Sequence, residues 1–314
     1  MSEAPFPVAL ARVRHPRLGY AMASTAALLW ALNGVVSKVV RENALSAVQL
    51  AEARSTGACA GFALLLLVTA RTRLAVRRQE LAFLAFFGIA GLAFVQWFYF
   101  LAIRRLDIGI ALLIQYAAPL LVALYARFWR HEPVRGRVWV ALVLALGGLS
   151  VIVDAWHGVS LDGIGVAASL GGAVSYALYL VQAEHALGRR DPLSLLCYGF
   201  LFAAAFLAVA SRVWSFPVGR FDDDVSLLGR LSSFHAPVWL LLAGIVTLGT
   251  IVPFALLIGS LRHLPATRVG IIAMLELVAA TLFAWAWLGE ELTAGQLGGA
   301  GVVLAAIGLA QTSR

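Results

Sequence analysis

Apolar positions along this chain do not alternate with polar ones. They run in long unbroken stretches, at roughly 19–40, 46–70, 81–102, 108–128, 138–153, 163–183, 193–211, 236–259, 266–288 and 295–310, each closed by charged residues or by Pro and Gly. A helix rising ~1.5 Å per residue needs about 20 such residues to cross a ~30 Å hydrocarbon core. The pattern therefore predicts ten transmembrane helices and an all-α integral membrane protein. The fifth and tenth stretches are short for that thickness, so each is either a thinner edge helix or a span whose ends lie a few residues further out. A transmembrane barrel would read as short alternating segments and is excluded.

Composition agrees. Of 314 residues, 61% are hydrophobic and 13% charged, with a mean hydropathy of +0.89, against about 25% charged in ordinary soluble domains. A net charge of +8 would suggest nucleic acid in a soluble chain. Here the arginines cluster between apolar runs, where orientation signals sit, so the expected partners are the lipid bilayer and a small-molecule substrate, with no nucleic acid. Both cysteines, Cys59 and Cys197, fall inside apolar runs and read as lipid- or core-facing thiols. The basic N-terminus enters an apolar run at Gly19 with no short cleavable h-region, which predicts an uncleaved first helix.

With the N-terminus inside, the inner segments carry sixteen Lys and Arg, from Arg12, Arg14 and Arg17 to Arg314, and the outer segments carry seven. The positive-inside rule then places both ends of the chain in the cytoplasm of a cell whose plasma (inner) membrane the protein crosses.

The chain also contains itself twice. At an offset of 158, Leu84-Ala85 meets Leu242-Ala243, Gly91 meets Gly249, Arg104 meets Arg262, Leu106 meets Leu264, Trp129 meets Trp287 and Glu132 meets Glu290. At an offset of 146, Gly19 meets Gly165 and Trp30 meets Tyr176. The difference places a twelve-residue insertion in the loop between helices seven and eight. Five helices per half is an odd number, so the second half enters the membrane upside down, an architecture of transporters with a midplane site. The organisation is a cytoplasmic segment 1–18, a first repeat 19–153, an outer linker 154–162, a second repeat 163–310 and a cytoplasmic tail 311–314.

The segments RRLDIGIALLIQYAAPLLVALYARFWRHE and RHLPATRVGIIAMLELVAATLFAWAWLGEELTAGQLGG resemble the two EamA-type halves of the drug/metabolite transporter superfamily. So do ALLWALNGVVSK in the first helix and Arg54 in the second. LPAT at 264–267 and LGEEL at 288–292 are the most specific pieces, and the likeness runs from about 19 to 310. It implies a ten-helix carrier that exports amino acids or other small metabolites. One departure stands out: where the family commonly has Glu-Pro, this chain has Glu276-Leu277, while the first half keeps Pro119 at the equivalent place, so the kink that the resemblance implies for helix nine is expected to be weaker here.

Candidate cavity residues follow from position. Trp30 and Asn33 lie three apart on one face of helix one, and their repeat mates are Tyr176 and Tyr179. Each alone fits a packed interface equally well; the duplicated stripe suits a cavity for a polar, partly apolar solute. Helix three adds Gln96 and Trp97, helix four Gln115 and Tyr116, and helix eight Thr250. Pro119 and Pro253, with Gly91 and Gly249, are candidate hinges.

Two charges break the symmetry at membrane depth: Glu276 aligns with Ala118, and Arg54 with Phe200. A carboxylate there costs ~3 kcal/mol on insertion scales. Arg54 lies about 12 Å from the outer end of its helix and Glu276 roughly 18 Å from the outer end of its own. Glu276 is therefore expected to face a cavity where Arg54, a solute amine or a proton satisfies it, which makes it the proton-coupling candidate; a purely structural ion pair is the plainer alternative.

Other classes fare worse. All six histidines lie in loops or at helix ends, and no hydrolase or zinc-protease motif is present, which argues against an intramembrane enzyme. A channel would use rings of like groups. Nucleotide-sugar exchange would need clustered intramembrane Lys or Arg, and Arg54 is the only deep one. Zwitterionic or neutral solutes remain, amino acids first and amphipathic drugs or another metabolite as the alternative. No ATP motif or metal-ligand spacing occurs, so no cofactor or metal is expected.

Overall fold

The computed structural model describes residues 15–106, 108–156, 162–187, 189–212, 214 and 216–312. The N-terminal segment up to Arg14, the middle of the linker between the repeats (157–161) and the last two residues of the tail lie outside the described residues. Ten helices cross the fold: α1 Pro16–Asn43, α2 Ala47–Thr69, α3 Arg78–Ala102, α4 Ile108–Phe128, α5 Gly136–Ile152, α6 Gly163–Ala186, α7 Pro192–Ser211, α8 Val238–Ser260, α9 Ala266–Leu288 and α10 Ala294–Thr312. All but α5 are long and apolar enough to span a bilayer. The tenth span is thus not short, because its helix continues to Thr312; the fifth, at 17 residues, is.

Helix starts follow local chemistry. Ser46 and Gln49 close a capping box at α2, with Gln49 N–H on Ser46 Oγ at 3.3 Å and Ser46 N–H on Gln49 Oε1 at 2.9 Å. Asp191 Oδ1 accepts from the N–H groups of Leu193 and Ser194 at α7, and Thr293 with Gln296 repeats the box at α10. Pro16 and Pro192 occupy first-turn positions where no N–H is needed.

The halves repeat one another in their contacts as well as in their sequence. Gly19 of α1 packs under Leu264, and its mate Gly165 of α6 packs under Leu106. Gly249 of α8 leaves room only for Asn33, and its mate Gly91 of α3 abuts Tyr179, the mate of Asn33. Each first helix therefore lies on the third and fourth helices of the other half, while α2 packs on α7 and α5 on α10 across the pseudo-two-fold. Cys59 and Cys197 are free thiols on α2 and α7.

Irregular backbone is duplicated too. α3 widens to a π-helix at Phe87–Ala93 and α8 at Thr247–Ile251, so Gly91 and Gly249 sit in matching bulges, with Pro253 just after the second. α4 is interrupted at Tyr116–Ala117, two residues before Pro119. α9 breaks at the equivalent Met274 with no proline: Met274 N–H turns to Ile271 and Leu277 N–H to Met274, at 3.2 Å each. The interruption survives loss of the proline and is shorter by one residue. It also places Glu276 in the first turn of the segment Leu275–Phe283, where aligned peptide dipoles favour negative charge. His131 (φ 53°) ends α4 in the left-handed conformation that its mate Gly289 (φ 75°) adopts after α9.

Both described chain ends lie on one face of the bundle, termed here the terminal face; the opposite one is the distal face. At the terminal face, ion pairs Arg190–Glu80 (2.7 Å), Arg73–Asp191 (3.0 Å) and Arg130–Glu184 (3.1 Å) join the two halves. At the distal face Lys38–Glu290 (3.1 Å) and Arg105–Asp162 (3.4 Å) do so. The insertion before α8 folds over the distal face with a small antiparallel ribbon, β1 (Asp224–Ser226) and β2 (His235–Pro237), in which Val225 pairs with Ala236. Trp287 Nε1 anchors it by donating to Leu227 O at 2.8 Å.

The α5–α10 seam depends on glycine. A Cβ on Gly148 would stand 2.8 Å from Gly299 O, whereas one on Gly147 would meet nothing within 4 Å. Gly148→Leu is expected to destabilise the protein by about 2 kcal/mol through overpacking, lowering Tm in detergent. Gly147→Leu should leave Tm unchanged, and thermal unfolding of the two variants side by side measures the difference.

Candidate transport site

α1, α2, α3, α4, α6, α7, α8 and α9 converge on one cavity of about 310 Å³, room for roughly ten waters at ~30 Å³ each. Its floor lies at mid-height, on Trp30, Gly91, Tyr116, Tyr179 and Phe254. Its walls climb only toward the distal face, past Ser37 and Arg41 on α1, Leu50 on α2 and Phe100 on α3. Below the floor the terminal half is closed by packed apolar side chains, among them Phe87, Leu180, Leu196, Leu257, Ile271 and Met274. The structure is thus open to one side of the membrane.

The floor is aromatic. Phe254 meets Trp30, Phe200 and Tyr179 edge-on at 5.1, 5.0 and 5.9 Å, and Tyr176 stacks beside Tyr179 at 6.2 Å. Edge-to-face rings fix one another's orientation, so this surface is preformed.

The two deep charges lie in the walls and make no direct ion pair. Tyr116 donates its hydroxyl to Glu276 Oε2 at 2.7 Å. Arg54 Nε donates to Thr250 Oγ1 at 3.1 Å, and Thr250 in turn donates to Ile245 O at 2.8 Å. That last acceptor is five residues back along the widened turn of α8, so the π-bulge recruits a threonine whose remaining lone pair orients the guanidinium. Four further cavity atoms, Ser55 Oγ, Gln96 Oε1, Gln115 Oε1 and Tyr179 Oη, have no hydrogen-bond partner among the described residues. Buried polar atoms are costly when left unpaired, so these four call for a polar guest or water.

Of the sequence-derived candidates, Trp30, Asn33, Arg54, Gln96, Gln115, Tyr116, Tyr176, Tyr179, Thr250 and Glu276 all line this cavity. Trp97 does not. It follows Gln96 by one position, hence ~100° round the helix, and its ring lies 6.0 Å from Phe206 with 36% of the residue exposed on the outside of the bundle. Several contributors were not singled out in advance, Ser55 among them. Ser37 and Arg41 continue the Trp30–Asn33 stripe at helical spacing. Phe200 and Phe254 are the repeat mates of Arg54 and Gln96, so the duplication alone could have found them. Glu52 was missed as well: it is 5% exposed, outside the cavity lining, with Oε1 accepting from Thr56 at 2.8 Å.

Comparison with known proteins agrees with this architecture. The model of the EamA-like transporter family matches residues 17–154 and again 163–312. The threonine/homoserine exporter RhtA of Escherichia coli K12 is 28% identical over 235 residues, covering 74% of this chain and 72% of its own. The uncharacterized transporter YvbV of Bacillus subtilis is 24% identical over 212 residues, covering 68% and 66%. A solved crystal structure with 18% identity superposes at a TM-score of 0.76 over 93% of this chain and 96% of that one, a likeness of fold alone.

The Tyr116–Glu276 bond can be measured by double-mutant cycle. Tyr116→Phe strands a buried carboxylate oxygen and is expected to cost about 1–3 kcal/mol, whereas Tyr116→Phe on a Glu276→Gln background should cost less. Additive losses in thermal unfolding would show that the two side chains do not interact.

Proposed function

The chain belongs to the EamA-like transporter family, and on that premise we propose that it exports amino acids or closely related zwitterions. It is a multi-pass membrane protein of a transporter family rather than an enzyme. What carries the finer reading is the pairing of one cation and one anion, Arg54 and Glu276, deep in the walls of a single cavity without an ion pair between them, while the other charged lining residue, Arg41, stands exposed toward its mouth. A zwitterion presents one charge of each sign. Its carboxylate is matched by the guanidinium fork and its ammonium by Glu276, and loading leaves the net charge of the cavity unchanged. A solute with net charge would leave an unbalanced charge in a low-dielectric site. The amides of Gln96 and Gln115 and the hydroxyls of Ser55 and Tyr179 suit a polar side chain on such a solute, and the aromatic floor suits its methylenes. The name of the Escherichia coli relative, a threonine/homoserine exporter, points the same way.

In this reading the terminal face is cytoplasmic, on the count of arginines, so the cavity opens outward and the solute is released from the state described above. Alternating access then closes the distal half and opens the terminal half, with Gly91, Gly249, Pro119 and Pro253 absorbing the change at the duplicated irregular turns. Glu276 holds the solute amine on the way out and a proton on the way back, which couples export to the inward proton gradient.

Flux of a labelled amino-acid panel in proteoliposomes, with and without an imposed pH gradient, tests the proposal. Gradient-driven flux of a few hydroxyl-bearing or small neutral amino acids is expected. Glu276→Gln should abolish the response to the gradient, and unchanged response would remove Glu276 from coupling. Arg54→Gln should raise KM for amino acids by at least tenfold while sparing solutes that lack a carboxylate. Flux of amphipathic cations in place of amino acids would favour a drug exporter of the same fold.

A further inference from the structure

A second concavity, of about 330 Å³, lies at the terminal face between the α2–α3 loop of the first half and the α6–α7 loop of the second. Four guanidinium groups line it, Arg73, Arg77, Arg189 and Arg190, against two carboxylates, Glu80 and Asp191. Both carboxylates are already engaged. Glu80 Oε2 accepts from Arg190 Nη1 at 2.7 Å and from Arg77 N–H at 3.2 Å, at the start of α3. Asp191 caps α7 through Oδ1 and takes Arg73 Nη1 on Oδ2 at 3.0 Å.

Those pairs also hold the walls. Arg190, its side chain 11% exposed, donates to Ser194 Oγ and to Ala75 O, and Tyr198 Oη donates to Leu74 O at 2.6 Å. Among the described residues, the guanidinium groups of Arg77 and Arg189 make no ion pair. The start of α3 and the start of α7 both face this place, adding the positive ends of two helices.

We propose that this concavity binds the phosphate of an anionic phospholipid headgroup, held by Arg77 and Arg189 and screened from the carboxylates by Arg73 and Arg190. Four positive against two negative groups leave a net charge of +2, which accommodates the single charge of a phosphodiester and is exceeded by a polyphosphate. The site lies at the end of the bundle, at headgroup level. Val68, 77% exposed one turn before Thr72, and Leu81, 41% exposed just after Glu80, offer apolar surface beside it for acyl chains, which favours a lipid over a soluble phosphate. Because one wall comes from each half, bound lipid straps the halves together at the closed face and stabilises the distal-open state. Nothing in this proposal depends on the identity of the transported solute.

The test uses purified, delipidated protein in detergent, titrated with dioctanoyl phosphatidylglycerol, dioctanoyl phosphatidylcholine and glycerol 1-phosphate, and read by thermal unfolding and by native mass spectrometry. Saturable binding of phosphatidylglycerol with a rise in Tm is expected, and none with phosphatidylcholine. Arg77→Gln/Arg189→Gln should weaken it at least about tenfold, as loss of charge-assisted hydrogen bonds to phosphate requires. Neither side chain takes part in an ion pair, so the variant should unfold at the wild-type Tm when lipid is absent. Arg262→Gln, an exposed arginine on the same face outside the concavity, should bind like wild type. Equal binding by the double variant, equal loss in Arg262→Gln, or equal binding of phosphatidylcholine would each overturn the site. Glycerol 1-phosphate binding as tightly as the lipid would overturn the assignment to a lipid.

Discussion

Lipid offers no hydrogen bonds, so every polar group at depth must be answered from within the protein. That constraint orders the whole structure. It forces the backbone into ten helices, and it gathers Arg54, Glu276 and the surrounding hydroxyls and amides around one shared space, where each can reach a partner or a guest. Where helical pairing is relaxed, at the π-bulge of α8, the freed Ile245 carbonyl is taken by Thr250, which then aims Arg54. The same place in the backbone that loosens the helix also orients the charge.

Duplication supplied the frame and divergence the chemistry. The contacts Gly249–Asn33 and Gly91–Tyr179 are one contact made twice, so the early scaffold of the two halves is still visible in their closest backbone approaches. Around the cavity the mates have parted: Arg54 against Phe200, Glu276 against Ala118, Gln96 against Phe254. Each polar member and the apolar mates Phe200 and Phe254 line the same cavity. The result is a centre with polar walls and an aromatic floor, built from a once-symmetric site.

Much of this was legible in the chain. Long apolar runs give the helices because lipid leaves no alternative, and the two offsets give the inverted repeat. Trp30, Asn33, Tyr176 and Tyr179 could be placed together because helical spacing and duplication agree. Trp97 could not, since adjacency to Gln96 says nothing about which way a membrane helix turns when both of its faces are apolar. Phe200 and Phe254 carry no polar signal of their own. The break in α9 is one residue where that in α4 is two, so without proline it shortens but does not vanish, at a Met274 that is fully buried. Glu52 lies outside the duplicated stripe, and Thr56, one turn on, answers only its Oε1, leaving Oε2 without a partner among the described residues.

The 17 residues of α5 span only ~26 Å at ~1.5 Å per residue, several ångströms less than the hydrocarbon around the other helices. α5 pairs with α10 at the edge of the bundle, so that edge meets lipid with a hydrophobic belt thinner than the membrane. A span this short is met by a thinned bilayer, by flanking side chains that reach to the interface or by a neighbouring copy, each at a cost of fractions of a kcal/mol per ångström of mismatch. The flank formed by α5 is therefore matched to a thinner membrane than the rest of the bundle is.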